Sequence, residues 1–260
     1  TRLTGHLLLL LAGLAALGSL ATNIILPAFP AMAADLSSSV KDLSATLASF
    51  FVAFAVGQLL VGPLSDRFGR QRLVLGGLAV FVAGSAVCAA ADDLPQLIAG
   101  RVVQALGVCA TSVLSRAIAR DLFEGEALAR ALALIMVAMA AAPGFSPLLG
   151  GALGSALGWR ATFGLVAVLA VLLALHYLSR LGETLATERR APLSARTIAT
   201  TYTGLLGDRR FIAPALSVGW IIGSLYLFFA MAPAILMTGF GFSALGLSLF
   251  FASTVFVVFG

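Results

Sequence analysis

Between Gly62 and Arg72 the chain reads GPLSDRFGRQR, a short charged stretch with a long apolar run on each side. The preceding run covers about Leu43–Val61 and the following run about Leu73–Ala91. A run of roughly 20 apolar residues is long enough to cross the hydrocarbon core of a bilayer as a helix. Inside lipid every backbone N–H and C=O must be satisfied within the protein, which favours helices. The stretch therefore predicts a tight connection between two membrane-spanning helices.

The same alternation of apolar runs and short polar stretches continues along the whole chain. Further runs cover about Leu7–Phe29, Gln96–Leu114, Ala131–Leu153, Ala161–Leu178, Phe211–Leu236 and Leu245–Gly260. With 60% hydrophobic and 10% charged residues, the composition excludes an ordinary soluble domain. The sequence predicts an all-α integral membrane protein with seven complete spans and the start of an eighth. A cleaved signal peptide is the alternative for the first run, but that run is longer than the roughly 7–15 residues of a signal sequence.

The basic residues are distributed unequally between the two sides of the predicted membrane. Of the 16 Lys and Arg residues, two lie on one side, Lys41 and Arg160, and Arg101 lies within a span. The other thirteen share the opposite side: Arg2, Arg67, Arg70, Arg72, Arg116, Arg120, Arg130, Arg180, Arg189, Arg190, Arg196, Arg209 and Arg210. Because Lys and Arg favour cytoplasmic loops, the N-terminus is predicted to be cytoplasmic. The basic residues form no continuous face, so we expect no nucleic-acid partner.

The longest polar stretch, Arg180–Arg210, divides the spans into two groups. It predicts an N-terminal transmembrane bundle of six spans at 1–179, a cytoplasmic linker at 180–210, and the start of a C-terminal bundle at 211–260. An amphipathic helix on the membrane surface is one interpretation of part of the linker. Six spans, a linker and further spans are typical of a two-bundle transporter. Since the sequence stops within an apolar run, we interpret it as a fragment of such a protein.

The charged stretch also resembles a known signature. Its spacing is similar to the G-x-L-a-D-R-x-G-R-K loop of the major facilitator superfamily, with Gln71 at the place of the Lys. Six positions match, Leu64 and the proposed switch residues Gly62, Asp66, Arg67, Gly69 and Arg70. The resemblance implies that this loop is a conformational switch, and that six spans form a bundle of 3+3 inverted repeats. Without the resemblance, a basic cytoplasmic loop with a glycine turn would account for the same residues.

Three further segments resemble one branch of that superfamily. Span four contains Arg101 followed by Gln104, similar to an antiporter pattern. Span five reads APGFSPLLGG, similar to the Gly-Pro…Gly-Gly antiporter motif, with Ser146 in place of a Gly and with Pro143, Pro147, Gly150 and Gly151 at matching positions. Span one ends in LPAFPAM, like the L-P-x-L-P element of drug–proton antiporters. With RAIARDLF after span four, these segments resemble the Bcr/CflA drug-resistance type.

Three polar side chains within the spans are the leading site candidates. A charge inside the membrane is costly, so Arg101 is a functional candidate, with snorkelling to the headgroups as the alternative. Gln104 follows one turn later on the same face. Asn23 lies at a similar depth in span one, where the related antiporters often have an Asp. An amide cannot exchange a proton as a carboxylate does, so Asn23 does not provide proton coupling; helix packing is its alternative role.

The remaining candidates are weaker. Trp220 and Tyr226 in span seven could stack on a substrate, although packing aromatics are more common there. The two cysteines and two histidines show no metal-ligand spacing, so we predict neither a metal site nor a cofactor.

The expected function is secondary active export of a small lipophilic or amphipathic compound, with protons as the coupling ion. The resemblance implies a monomer in the bacterial inner membrane, with the lipid bilayer, the substrate and protons as its partners. Alternatives are a metabolite or sugar transporter of the same fold without proton coupling in span one, and a non-transporting membrane sensor or assembly protein. An enzyme is disfavoured, because no catalytic cluster of His, Asp, Glu or Ser lies at one membrane depth.

Overall fold

The computed structural model describes residues 4–190 and 194–259, and these residues are helical with short connections. The first six spans are built from α1 (Gly5–Asn23), α2 (Phe29–Asp35), α3 (Ser44–Phe68), α4 (Arg70–Ala89), α5 (Leu94–Leu122), α6 (Gly125–Leu157) and α7 (Arg160–Arg180). The later helices are α8 (Ala195–Gly207), α9 (Arg209–Ala232) and α10 (Ala244–Phe259). Among the described residues, seven helical segments are long and apolar enough to cross a membrane, and no strand occurs. The predicted all-α membrane fold is confirmed.

The first span is not one continuous helix, as the run Leu7–Phe29 had predicted. α1 ends at Asn23, a short 3-10 turn covers Leu26–Ala28, and α2 begins at Phe29. Pro27 lies in this turn and Pro30 in the first turn of α2; neither has a backbone N–H to donate. The span is therefore two helical segments joined by a break.

The connection between spans two and three is shorter than the predicted loop from Gly62 to Arg72. α3 continues through Gly62 and Asp66 to Phe68, and α4 begins at Arg70. Gly69 alone separates them, with φ of 95°, a conformation that glycine adopts without strain. The signature residues therefore belong mainly to two helix ends.

Packing of the first six spans is centred on α4 and α5, which make the most extensive contact, and α3 also packs along α5. α1 packs on α6, and α4 packs on α7. α10 lies against α6, and α9 touches α3. We call the end that holds Arg70, Asp121 and Glu183 the basic end, and the end that holds Asp35 and Arg160 the opposite end.

The linker region contains α8, in line with the interpretation of part of it as a helix. After α9, residues Pro233–Gly239 form a π-helical segment, so the predicted seventh span Phe211–Leu236 changes helix type near its end. The predicted start of the eighth span, Leu245–Gly260, corresponds to α10; Gly260 lies outside the described residues. The division into 1–179, 180–210 and 211–260 remains a prediction.

Candidate functional site

Arg101 lies in α5 with its side chain enclosed by three other helices. It is 0% exposed. Nη1 donates hydrogen bonds to the carbonyl oxygen of Ala21 in α1, at 3.1 Å, and to Oε1 of Gln104, at 2.5 Å. Cζ of Arg101 lies 4.3 Å from the ring centroid of Phe50 in α3, which places the guanidinium over an aromatic face. Arg101 therefore extends into the bundle rather than to the membrane surface.

Gln104 connects Arg101 to α4. Its Nε2 donates to Oγ of Ser85 at 2.8 Å, and Oγ of Ser85 donates to the carbonyl oxygen of Phe81 at 2.8 Å. Gly84 permits this contact: a Cβ at that position would lie 2.4 Å from the backbone nitrogen of Gln104. The result is one polar network through α1, α5 and α4.

The charge on Arg101 has no carboxylate partner within salt-bridge distance among the described residues. Nε and Nη2 are buried and have no hydrogen-bond partner. A charged Arg at the centre of a membrane helix costs about 3 kcal/mol or more, and an unsatisfied buried donor adds to that cost. Arg101 thus retains two buried donor nitrogens without an acceptor.

Asn23 is buried in the last turn of α1, two residues from the carbonyl that accepts from Arg101. Its Nδ2 donates to the carbonyl oxygen of Ser19 at 2.7 Å and to Oγ1 of Thr22 at 3.2 Å. The structure therefore places Asn23 and the Arg101 guanidinium at the end of α1, just before the break in span one. No hydrogen bond between their side chains occurs among those described.

The span-five motif packs directly on this break. A Cβ on Gly150 would lie 1.7 Å from the carbonyl oxygen of Ile24, so only glycine fits there. Ser146 Oγ donates to the carbonyl oxygen of Ala142 at 2.6 Å, and Ser248 of α10 donates to that of Pro147 at 3.0 Å. Pro143 and Pro147 lie within α6, where each removes one helical hydrogen bond. The motif thus joins spans one, five and eight.

A cavity of about 250 Å³ lies beside the same motif. Gly150 and Gly151 form one wall, and Pro27 and Pro30 of the first span form another. Trp159, at the opposite end, and Met237, in the π-helical segment, also line the cavity. The break in span one therefore borders open space as well as Gly150.

Arg70 is the centre of the charged cluster at the basic end. Nη1 pairs with Oδ1 of Asp66 at 2.6 Å and also donates to Oγ of Ser65, and Nε pairs with Oδ2 of Asp121 at 3.2 Å. Its backbone N–H donates to Oε1 of Glu183 at 2.8 Å. The cluster joins the ends of α3, α4 and α5 to the segment after α7.

The other signature residues contribute less to this cluster. Arg67 is exposed, and a Cβ on Gly62 would meet nothing within 4 Å. A Cβ on Gly69 would lie 2.0 Å from Oε2 of Glu183, so this glycine is required by contact as well as by φ. Glu183 is not predictable as a partner from the sequence, because nothing in the local sequence indicates a contact 113 residues away.

The opposite end has a cluster of charged and aromatic side chains, whose contacts the sequence did not predict. Arg160 pairs with Asp35 at 3.2 Å and donates to the carbonyl oxygen of Ala91 at 2.9 Å. Trp159 Nε1 donates to Oδ2 of Asp35 at 2.8 Å, and Cζ of Arg160 lies 4.2 Å from the Trp159 ring centroid. In the neighbouring turn, hydrogen bonds from Ser39 hold the pKa of Asp42 below its usual value.

Trp220 and Tyr226, the candidate stacking residues, have different surroundings. Trp220 is 77% exposed on α9. The Tyr226 ring lies 4.5 Å, centroid to centroid, from that of Phe51 in α3. Tyr226 lines a cavity of about 650 Å³ between α3 and α9, together with Ser44, Ala45, Leu47, Ala48, Phe51, Gly219, Ile222, Gly223, Leu227 and Met231. Trp220 does not line this cavity.

Comparison with known families tests the family membership that the motifs suggest. Residues 11–260 match the Major Facilitator Superfamily. The chain belongs to that superfamily. The D-xylose–proton symporter has the same fold, with a TM-score of 0.70 at 16% identity over 97% of this chain and 65% of the symporter. The protein therefore has the predicted all-α fold of the Major Facilitator Superfamily.

Its curated relatives include drug-resistance proteins. It is 38% identical over 244 residues to the uncharacterized MFS-type transporter YdgK of Bacillus subtilis, covering 93% of this chain and 61% of the relative. It is 32% identical over 254 residues to a chloramphenicol resistance protein of Pseudomonas aeruginosa, covering 94% of this chain and 58% of the relative. The chain thus spans about three fifths of the length of these relatives. The resemblance to the drug-antiporter branch is confirmed.

The superfamily is one of transporters, and the quoted relatives are not named as enzymes. Within residues 4–190 and 194–259, no group of three or more His, Cys, Asp or Glu side chains could hold a metal ion. We therefore base the function on the polar network around Arg101 and the cluster around Arg70.

Proposed function

We propose that the protein is a secondary active exporter of small lipophilic or amphipathic compounds, driven by proton influx and working by alternating access. It acts as a monomer in the bacterial inner membrane, with the basic end in the cytoplasm. The similarity to a chloramphenicol resistance protein supports this class of substrate. The excess of Arg at the basic end supports this orientation.

The observation that carries the proposal is the incomplete pairing of Arg101. A scaffold protein has little use for a fully buried guanidinium with two unpartnered nitrogens in a membrane helix. A transporter has a use for it, because a substrate or an acidic side chain can supply the missing acceptor in another state. The break in span one next to Arg101 is also typical of transporter sites, where interrupted helices expose backbone groups.

The Arg70 cluster would act as the conformational switch. It joins four chain segments at the basic end through charge-assisted hydrogen bonds, and these bonds favour the state in which the segments are together. Opening at this end requires them to separate. Asp66 lies at the edge of the cluster and has the more exposed carboxylate of the two on Arg70, at 49% against 18% for Asp121.

The proton carrier is not Asn23 or Arg101. An amide does not titrate, and Arg remains protonated in proteins. No Asp or Glu occurs between 209 and 260 or between 43 and 65, and the acids of the other spans lie at helix ends. Asn23, in place of an acid in span one, favours the second candidate function, a metabolite or sugar transporter without proton coupling in span one.

An efflux assay separates these functions. Expression in an efflux-deficient bacterium should lower chloramphenicol accumulation and raise resistance, and Arg101→Ala at equal abundance should remove both effects. If chloramphenicol accumulation is unchanged while uptake of a labelled sugar increases, the second candidate function is correct and the exporter proposal is wrong.

A further inference from the structure

The 650 Å³ cavity between α3 and α9 borders the segment of α3 that contacts the incompletely paired guanidinium of Arg101. Two consecutive phenylalanines connect them: the Phe50 ring stacks on Arg101, and the Phe51 ring lines the cavity against Tyr226. The ring centroids of Phe50 and Phe51 are 5.9 Å apart, and the two rings meet edge to face. The contacts therefore run from the cavity through the rings of Phe51 and Phe50 to the incompletely paired guanidinium of Arg101.

The lining of the cavity is suited to an apolar body. Small residues such as Ala48 and Gly223 give it width, and Leu47, Ile222 and Met231 give it an apolar surface. No side chain that lines it carries a charge. An apolar ligand body bound there would gain from burial, whereas a charged group would need a partner beyond the wall.

Among the described residues, the charged side chain in contact with Phe50, on the far side of this wall, is Arg101. Arg101 has two free donor nitrogens, Nε and Nη2, which lie on one side of the guanidinium and suit a two-oxygen acceptor. No carboxylate pairs with Arg101 among the described residues. A cationic ligand would be repelled, because a buried charge is poorly screened.

We propose that the cavity between α3 and α9 binds the apolar body of an amphipathic organic anion, and that Arg101 binds its acidic group once the Phe50 side chain has rotated away. The inference rests on the proposed exporter function and specifies its substrate class. Phe50 covers the guanidinium in the empty state through a cation–π contact and is displaced by a stronger acceptor.

A pair of dyes with the same ring system and opposite charge tests the charge preference. Fluorescein is an anion and rhodamine 123 is a cation, and both share a xanthene and phenyl frame. Fluorescence anisotropy with the purified protein should show fluorescein binding at least about tenfold more tightly than rhodamine 123. Equal or reversed affinities would overturn the proposal.

Two variants test the location. Arg101→Gln should weaken fluorescein binding at least about tenfold and leave rhodamine 123 unchanged or tighter. Ala48→Phe should fill the cavity and weaken fluorescein binding by a similar factor, whereas Ala55→Phe, an exposed position of α3 outside the cavity, should have no effect. Fluorescein binding that survives Ala48→Phe would overturn the assignment, even if Arg101→Gln fails to fold.

Binding and export are measured separately, so the two proposals can fail separately. Anion-selective binding without efflux of any dye or of chloramphenicol would support the site and contradict the exporter function. Efflux of chloramphenicol with no preference between the two dyes would support the exporter and contradict the anion site.

Discussion

Arg101 donates a 3.1 Å hydrogen bond to the carbonyl oxygen of Ala21, in the last turn of α1. The last four carbonyls of a helix lack intrahelical partners, and a helix C-terminus carries partial negative charge. The guanidinium of span four therefore caps the first segment of span one at its break. This contact couples the fully buried Arg101 to the end of α1 that precedes the break.

Arg101→Ala should abolish transport, because it removes both the charge and the cap on Ala21. Arg101→Lys should retain part of the activity, since an ammonium keeps the charge but not the forked geometry. Initial transport rates, divided by protein abundance in the membrane, measure both. Val103→Ala on the same helix is the control and should be near wild type. Normal transport by Arg101→Ala would show that the residue serves only packing.

Gly150→Ala should destabilise the protein, because the new Cβ would lie 1.7 Å from the carbonyl oxygen of Ile24 and force spans one and five apart. Overpacking of this kind costs about 1–3 kcal/mol, or a few degrees in Tm. Gly154→Ala is the matched control, since its Cβ would lie 3.8 Å from Ala28 Cβ, an ordinary contact. Thermal unfolding in detergent measures both. Equal Tm values for the two variants would contradict the packing described at Gly150.

The sequence was sufficient to predict the spans, because apolar runs of membrane length leave few alternatives to helices. It did not predict the break at Leu26–Ala28, since Pro27 lies between apolar residues and the run continues to Phe29. It placed the loop after span two too early, because the helix continues through polar Ser65 and Asp66 to Phe68.

Long-range contacts account for what the sequence missed in the candidate site. Arg101 was identifiable as a charge within a span, but not its contact with Ala21, which lies 80 residues away. Glu183 and Asp35 were not singled out, because an acid at a helix end is ordinary until its partner is known. Their roles depend on packing between segments that are distant in sequence.

Asp66→Asn should slow turnover and leave equilibrium substrate binding within about threefold, because Asp66 belongs to the Arg70 cluster at the basic end. The amide keeps a hydrogen bond to Arg70 but loses the ion pair. Asp121→Asn should reduce stability more, since that carboxylate is less exposed and also accepts from Thr184 at 3.1 Å. Stopped-flow transport and binding assays separate the two effects. A full rate in Asp66→Asn would exclude the switch role.

Cysteine labelling tests the orientation of the chain. Cys88 and Cys109 are buried, so the background reaction with a membrane-impermeant maleimide should be small. Lys41→Cys should react from outside intact cells, whereas Arg72→Cys should react only after the membrane is permeabilised, because thirteen of the 16 basic residues share the side of Arg72. Both positions are exposed in the structure. Outside labelling of Arg72→Cys would reverse the orientation.

Proton-coupled export is tested most directly in proteoliposomes that contain a pH-sensitive dye. Addition of chloramphenicol outside should make the lumen more alkaline as protons leave in exchange for the compound. An imposed pH gradient should drive accumulation that a protonophore abolishes, and Arg101→Ala should show neither effect. Chloramphenicol movement that is independent of the pH gradient, with no change in lumenal pH, would contradict proton-coupled export.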